Sequence, residues 1–176
     1  MSSSNESIET LLLKTFPKEI PTSYCLVYAL LAIPVLALDV YLYLAVLHLN
    51  FIASSVSLII GTTVGLVLLV TSYHKTAYAK WSKLDRTTEQ PTKSSFKGNL
   101  SAYRSGVESH LWLLERSSVS YSVMINNAIF QAFVFVIGFY LLRDKVPDEL
   151  NFIVTIALSA GFVRLNAESA FKSVHS

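Results

Sequence analysis

Lysine and arginine are concentrated in residues 74–116, which carry eight of the fourteen in the chain. Cations at this density attract phosphate and carboxylate groups, so the segment could bind anionic lipid headgroups, an acidic protein or nucleic acid. A simpler interpretation is that these charges only orient membrane spans on either side and keep a loop in water. The candidate contact residues are Lys75, Lys80, Lys83, Arg86, Lys93 and Lys97.

The chain carries no recognisable catalytic motif. No HExxH, GxSxG, paired-carboxylate or phosphate-cradling glycine pattern occurs in it. The single cysteine, Cys25, excludes an internal disulfide framework and a cysteine-based metal site. We therefore expect no enzyme activity, no cofactor, no metal and no small-molecule substrate.

Long apolar stretches flank the basic segment. Charged residues make up 15% of the chain, well below the quarter or so of a soluble domain, and the mean hydropathy is +0.48. Stretches 24–47, 51–73 and 119–142 hold one charge in all, and Arg164 interrupts a fourth, 150–168. Each can cross ~30 Å of hydrocarbon as a helix. The predicted fold class is an all-α integral membrane protein with four transmembrane helices and a helical hairpin between spans two and three.

These stretches divide the chain into a leader (1–23), a first transmembrane hairpin (24–73), a basic helical hairpin (74–118), a second transmembrane hairpin (119–168) and a tail (169–176). Twelve of the lysines and arginines fall on the side of the leader, the basic hairpin and the tail, and two fall on the other. The positive-inside rule predicts that both termini and the basic hairpin are cytosolic. The leader lacks a basic n-region, so no cleavable signal peptide is expected.

The basic hairpin is predicted to contain two helices. The first would place four cations on one outward arc, with Trp81 and Leu84 on the opposite side, and would end at Gln90 before Pro91. Asn99 is placed to cap the second helix. The apolar stripe of that second helix comprises Leu100, Tyr103, Val107, Leu111 and Leu114.

Small and amide residues inside the spans are candidates for helix packing. The small residues recur every four positions, which lets a neighbouring helix approach closely, and interhelical hydrogen bonding is favoured over substrate binding for the amides. Asp39 is expected near the lumenal end of its span, where hydration is cheap, and Arg164 is expected to snorkel to the cytosolic surface. The packing candidates are Ala53, Ser57, Gly61, Gly65, Asn126, Asn127 and Gln131.

Short motifs along nearly the whole chain are similar to those of a known family. They are Leu11-Leu12-Leu13 with Phe16, Ala32-Ile33-Pro34, His48 with Ile52 and Ser54, Ser122 with Asn126-Asn127 and Phe130, Pro147 with Asn151-Phe152-Ile153, and Ser159-Ala160-Gly161. In these motifs the chain resembles the gamma subunit of the translocon-associated protein complex. Its basic segment is shorter and less charged than the family's, and Asp39 and Arg164 have no counterpart in the family's pattern.

The resemblance implies a non-enzymatic, multi-pass subunit of the endoplasmic reticulum membrane that supports co-translational translocation and membrane insertion. Its implied partners are the alpha, beta and delta subunits, the Sec translocon, the lipid bilayer and, through the cytosolic hairpin, ribosomal RNA or protein. Two other classes stay open. One is a small transporter or channel that uses Asp39, Asn127, Gln131 and Arg164, and the other is a membrane-shaping hairpin protein.

Overall fold

Four long helices dominate the computed structural model, which describes residues 16–96 and 99–175. All four are long and apolar enough to cross a membrane, and the described ranges contain no strand, so the all-α, four-span prediction is confirmed. A seven-residue π-helical segment, Phe135–Leu141, extends the third helix, and a short 3-10 turn, Lys93–Phe96, follows the second. The helices are α1 (Thr22–Val46), α2 (Ser55–Thr87), α3 (Leu100–Val134) and α4 (Asp148–His175).

The helices continue without a break beyond the predicted spans. α2 passes residue 73 and ends at Thr87 instead of Gln90, where the hydroxyl of Thr87 bonds the carbonyl of Lys83 at 3.0 Å and Thr88 is extended. α3 likewise begins well before residue 119. The basic hairpin is therefore a direct extension of α2 and α3.

α2 is the central helix and packs against all three others. Large side chains from the four helices fill the core of the bundle, while other large apolar side chains, such as Leu30 and Ile59, point outward. An apolar exterior suits a helix bundle surrounded by lipid. The largest core side chains are Tyr28, Tyr43, Tyr73, Phe130 and Phe152.

The turns α1–α2 and α3–α4 lie at the same end of the bundle and are tight. His48 and Asp144 have positive φ angles, 54° and 61°, which reverse the chain in few residues. Asn50 organises the first turn, since its Oδ1 accepts hydrogen bonds from the backbone nitrogens of Ile52 (3.1 Å) and Ala53 (3.2 Å). Little of the chain projects from this end.

Candidate functional site

The tip of the basic hairpin, at the opposite end, is held by a cap and an aromatic contact. Asn99 Oδ1 accepts a hydrogen bond from the backbone nitrogen of Ala102 at 3.2 Å, which confirms the predicted helix cap. The rings of Phe96 and Tyr103 lie 5.9 Å apart. Gly106 permits this packing because a Cβ there would lie 2.5 Å from Phe96 Cζ. The tip thus has a small core of its own.

An apolar seam joins α2 and α3 between the tip and the membrane bundle. Trp81 is 8% exposed and packs in one cluster with Leu114, as the predicted stripes require. Phe16 joins them, with its ring centroid 6.2 Å from that of Trp81. His74 Nε2 lies 3.0 Å from the carbonyl oxygen of Pro17. The end of the leader is therefore fixed against this seam, which the sequence reasoning missed.

Two of the predicted contact cations face α4. The ammonium group of Lys75 forms an ion pair with the carboxylate of Glu168. Arg86 Nη2 donates a hydrogen bond to the carbonyl oxygen of Val174 at 3.3 Å. The expectation of one outward arc is wrong for this pair of residues, because α4 continues past residue 168 and runs alongside α2.

The other candidate cations lie elsewhere on the hairpin. Lys80 sits over the ring of Tyr121 on α3, with Nζ 4.7 Å from the ring centroid. Lys83 and Lys93 are exposed, and within the described ranges neither forms an ion pair. Lys97 lies outside the described residues. We call Lys83 and Lys93 the tip cations, since they are the candidates that the structure leaves open to a partner.

Two members of the small-residue repeat lie at close helix contacts. A Cβ on Gly61 would lie 2.6 Å from the ring of Phe152 on α4, and one on Gly65 would meet side chains of both α1 and α4 at under 3 Å. Ser57 is half-buried. Ala53 precedes α2 and is exposed, so the close contact is concentrated at the two glycines.

The adjacent side chains of Asn126 and Asn127 on α3 both form hydrogen bonds with α2. Asn127 Oδ1 accepts a hydrogen bond from the hydroxyl of Tyr73. Asn126 Oδ1 accepts one from Thr76 Oγ1 at 3.4 Å, and its Nδ2 donates to Ser122 Oγ at 3.2 Å. Ser122 in turn donates to the carbonyl oxygen of Tyr73 at 2.5 Å. The amides therefore act in interhelical hydrogen bonds.

Gln131 bonds the buried acid of α1. Its Nε2 donates to Asp39 Oδ1 at 2.9 Å. Asp39 has no exposed surface, so the expectation that its carboxylate is hydrated is wrong, whereas its position near the lumenal end of the span stays a prediction. Asp39 Oδ2 and Gln131 Oε1 are also buried, and neither has a hydrogen-bond partner among the described residues. If Asp39 were protonated on Oδ2, that oxygen would become a hydrogen-bond donor, and the cost of burying a charge would be removed.

A second buried polar contact joins α1, the π-helical segment and α4 through Asn151, which sequence reasoning missed as a packing residue. Asn151 Oδ1 accepts hydrogen bonds from Tyr43 (3.1 Å) and Thr155 (2.9 Å), and its Nδ2 donates to the carbonyl oxygen of Gly138 at 3.1 Å. Gly138 lies in the π-helical segment, where a Cβ would collide with the hydroxyl of Tyr43. An asparagine inside an apolar stretch was the available signal.

Arg164 also has partners within the protein. Its Nη1 lies 3.5 Å from the carbonyl oxygen of Thr71 on α2, and its Nη2 lies 3.8 Å from Glu168 Oε2. Glu168 is thereby shared between Arg164 and Lys75. The i, i+4 spacing of Arg164 and Glu168 could have predicted the pair from the sequence.

A family model described as translocon-associated protein, gamma subunit (TRAP-gamma) matches residues 8–107. That range is more than half of the chain and includes α1, α2 and the start of α3. The chain belongs to the TRAP-gamma family. The TRAP-gamma description names a subunit of a translocon-associated protein, which agrees with a multi-pass membrane architecture. Asn126 and Asn151 lie beyond the matched range, so the family match does not bear on their hydrogen bonds.

Proposed function

We propose that this chain is a non-enzymatic subunit of the translocon-associated complex in the endoplasmic reticulum membrane. It anchors the complex in the bilayer and contacts the ribosome, and so supports co-translational translocation and membrane insertion. The family match over residues 8–107 carries the proposal. The proposed partners are the alpha, beta and delta subunits, the Sec translocon, ribosomal RNA and protein, and the surrounding lipid.

The bundle supports the anchoring role. Its helices are joined by interhelical hydrogen bonds and by close contacts at Gly61 and Gly65, both of which are typical of stable packing in lipid. Its outer faces carry large apolar side chains that lipid or the spans of other subunits can cover. Such a bundle can anchor partner helices in the membrane.

The tip cations support the ribosome contact. α2 rises roughly 20 Å between residue 73 and Thr87, at ~1.5 Å per residue, which carries Lys83 and the following turn beyond its predicted apolar span. Exposed cations displace counterions from nucleic-acid phosphates when they bind, and this gain needs no sequence-specific contact. With both termini and the hairpin in the cytosol, the tip cations would face the ribosome.

Copurification tests the whole proposal. The tagged protein is captured from endoplasmic reticulum membranes solubilised in mild detergent, and a tagged four-span protein of another complex serves as the control. We expect the three other subunits, the Sec translocon and ribosomes to be enriched with this chain only. Equal recovery with both tagged proteins would contradict the proposal.

Cysteine labelling tests the proposed orientation separately. In a Cys25→Ser background, Lys93→Cys and Lys145→Cys each provide one thiol, at opposite ends of the bundle. A membrane-impermeant maleimide should label the first in sealed microsomes and the second only after permeabilisation. The reverse pattern would rule out the ribosome contact but leave family membership intact.

A transporter would need polar groups that are free to bind a substrate. Asn127, Gln131 and Arg164 instead contact groups on neighbouring helices. Asp39 Oδ2 and Gln131 Oε1 have no partner among the described residues, but both atoms are buried within the bundle. A substrate would have to displace these contacts and separate the helices. The arrangement therefore favours a structural role for these residues.

A further inference from the structure

A groove of about 280 Å³ lies between the start of α1 and the middle of α3. Ser23 and Tyr24 line it from α1, and Glu115 and Arg116 line it from α3. These residues stand where the charge-free stretches of the two helices begin, since residues 117–142 hold no charge. The groove therefore opens at the level of one membrane–water interface.

The groove is layered along the membrane normal. Val27 lies one turn after Ser23 in α1, and Val119 lies one turn after Glu115 in α3. Alternate spans of an up-and-down bundle run in the same direction, so the two valines lie about 6 Å deeper than Ser23 and Glu115, at ~1.5 Å per residue. A ligand that fits must have a charged end and an apolar end in the same order.

The polar layer presents one cation and one anion. The guanidinium of Arg116 lies over the ring of Trp112, 5.0 Å from its centroid, and no ion pair of Arg116 is found within the described residues. Its in-plane N–H groups can therefore donate to a phosphate. Glu115 Oε1 accepts a hydrogen bond from the hydroxyl of Tyr24, so Oε2 remains available to a cationic group of a ligand.

We propose that this groove binds a zwitterionic glycerophospholipid of the proposed cytosolic leaflet. The lipid phosphate bonds Arg116, the ammonium or choline lies against Glu115 and the exposed Trp112, and an acyl chain covers Val27 and Val119. A zwitterionic headgroup is favoured over an anionic one because the two charges of the groove cancel. The proposal rests on the membrane placement of the helices and is independent of the ribosome contact.

Native mass spectrometry in nanodiscs tests the lipid class. The full chain is reconstituted in nanodiscs with equal amounts of phosphatidylcholine and phosphatidylserine. The protein is then released from the nanodisc in the mass spectrometer, and the lipids that stay bound to it are counted. We expect one retained phosphatidylcholine, reduced at least about tenfold by Arg116→Gln and by Glu115→Gln. Glu115→Gln keeps an acceptor for Tyr24, so it removes the charge alone. Arg143→Gln, at the opposite interface, is the matched control and should retain the lipid.

Three outcomes would overturn the proposal: no retained lipid, preferential retention of phosphatidylserine, or equal loss in Arg116→Gln and Arg143→Gln. A second measurement identifies the occupant in native membranes. A photoreactive residue in place of Val27 should form an adduct with phospholipid. An adduct with another polypeptide would show that a partner helix fills the groove, and would also overturn the proposal.

Discussion

The two ends of α2 are held by different kinds of contact. In the membrane bundle, Gly61 and Gly65 bring helices close to α2, and the amides Asn126 and Asn127 of α3 accept hydrogen bonds from α2. In the basic hairpin, the same helix is held by an apolar seam around Trp81 and by one ion pair with α4. The change occurs within one continuous helix.

The surrounding solvent explains this difference. Water drives apolar side chains such as Trp81 together, whereas lipid gives no such drive, and helix association there depends on close packing and hydrogen bonds. The bundle and the hairpin also have different proposed roles because lipid surrounds the one and water surrounds the other. Groups buried in the bundle hold the helices, and exposed cations on the hairpin are available to a partner.

Removal of Trp81 should have the largest effect. Trp81→Ala deletes the centre of the seam, and such losses cost about 3–5 kcal/mol in soluble cores. We expect rapid trypsin cleavage between Lys75 and Arg116, with the transmembrane helices still inserted. Trp112→Ala is the matched control, because Trp112 is 53% exposed. Equal cleavage of both variants would show that the seam does not hold the hairpin.

Gly61→Leu should come next and should act on the bundle. The new side chain would displace Phe152, and overpacking of this kind costs about 1–3 kcal/mol. We expect a lower melting temperature in mild detergent and unchanged protease resistance of the hairpin. Gly161→Leu is the control, since a Cβ there meets no atom within 4 Å. Equal melting temperatures for the two variants would contradict the close contact at Gly61.

Asp39 should give a smaller effect that reports its charge. Asp39→Leu leaves Gln131 without its partner, and hydrogen bonds of this kind within membranes contribute roughly 1 kcal/mol. Asp39→Asn keeps an acceptor for Gln131 and should be nearly neutral in thermal stability. If Asp39→Asn destabilises as much as Asp39→Leu, the carboxylate is needed in its ionised form.

The partly exposed ion pair of Lys75 and Glu168 should matter least. Exposed pairs are weakened by water and by salt. Lys75→Gln should lower the melting temperature by less than Asp39→Leu does. At high salt, Lys75→Gln and the unchanged protein should have the same melting temperature. A decrease as large as that of Gly61→Leu would mean that the ion pair is a main support of the α2–α4 contact.

The four spans and the cap at Asn99 could be predicted because each depends on local sequence. Uncharged length predicts a span, and an asparagine before an apolar stripe predicts a helix start. The outward arc of cations could not be predicted correctly, since α4 lies beside α2 only in the folded protein. The burial of Asp39 likewise depends on Gln131, 92 positions away in the chain. The bonds of Asn151 to Tyr43 and Gly138 are equally inaccessible to local sequence patterns.

Ribosome binding by a tip-cation variant tests the central claim most directly. Lys83→Glu/Lys93→Glu is compared with Lys145→Glu, a reversal at the opposite end, by co-sedimentation of the purified complex with ribosomes over a range of salt concentrations. The account predicts weaker binding for the double variant alone. Its slope against log salt should be shallower by roughly 0.7–0.9 for each phosphate that the variant no longer neutralises. An unchanged affinity and salt slope in the double variant, with the complex intact, would contradict the claim that the exposed end of the hairpin binds the ribosome.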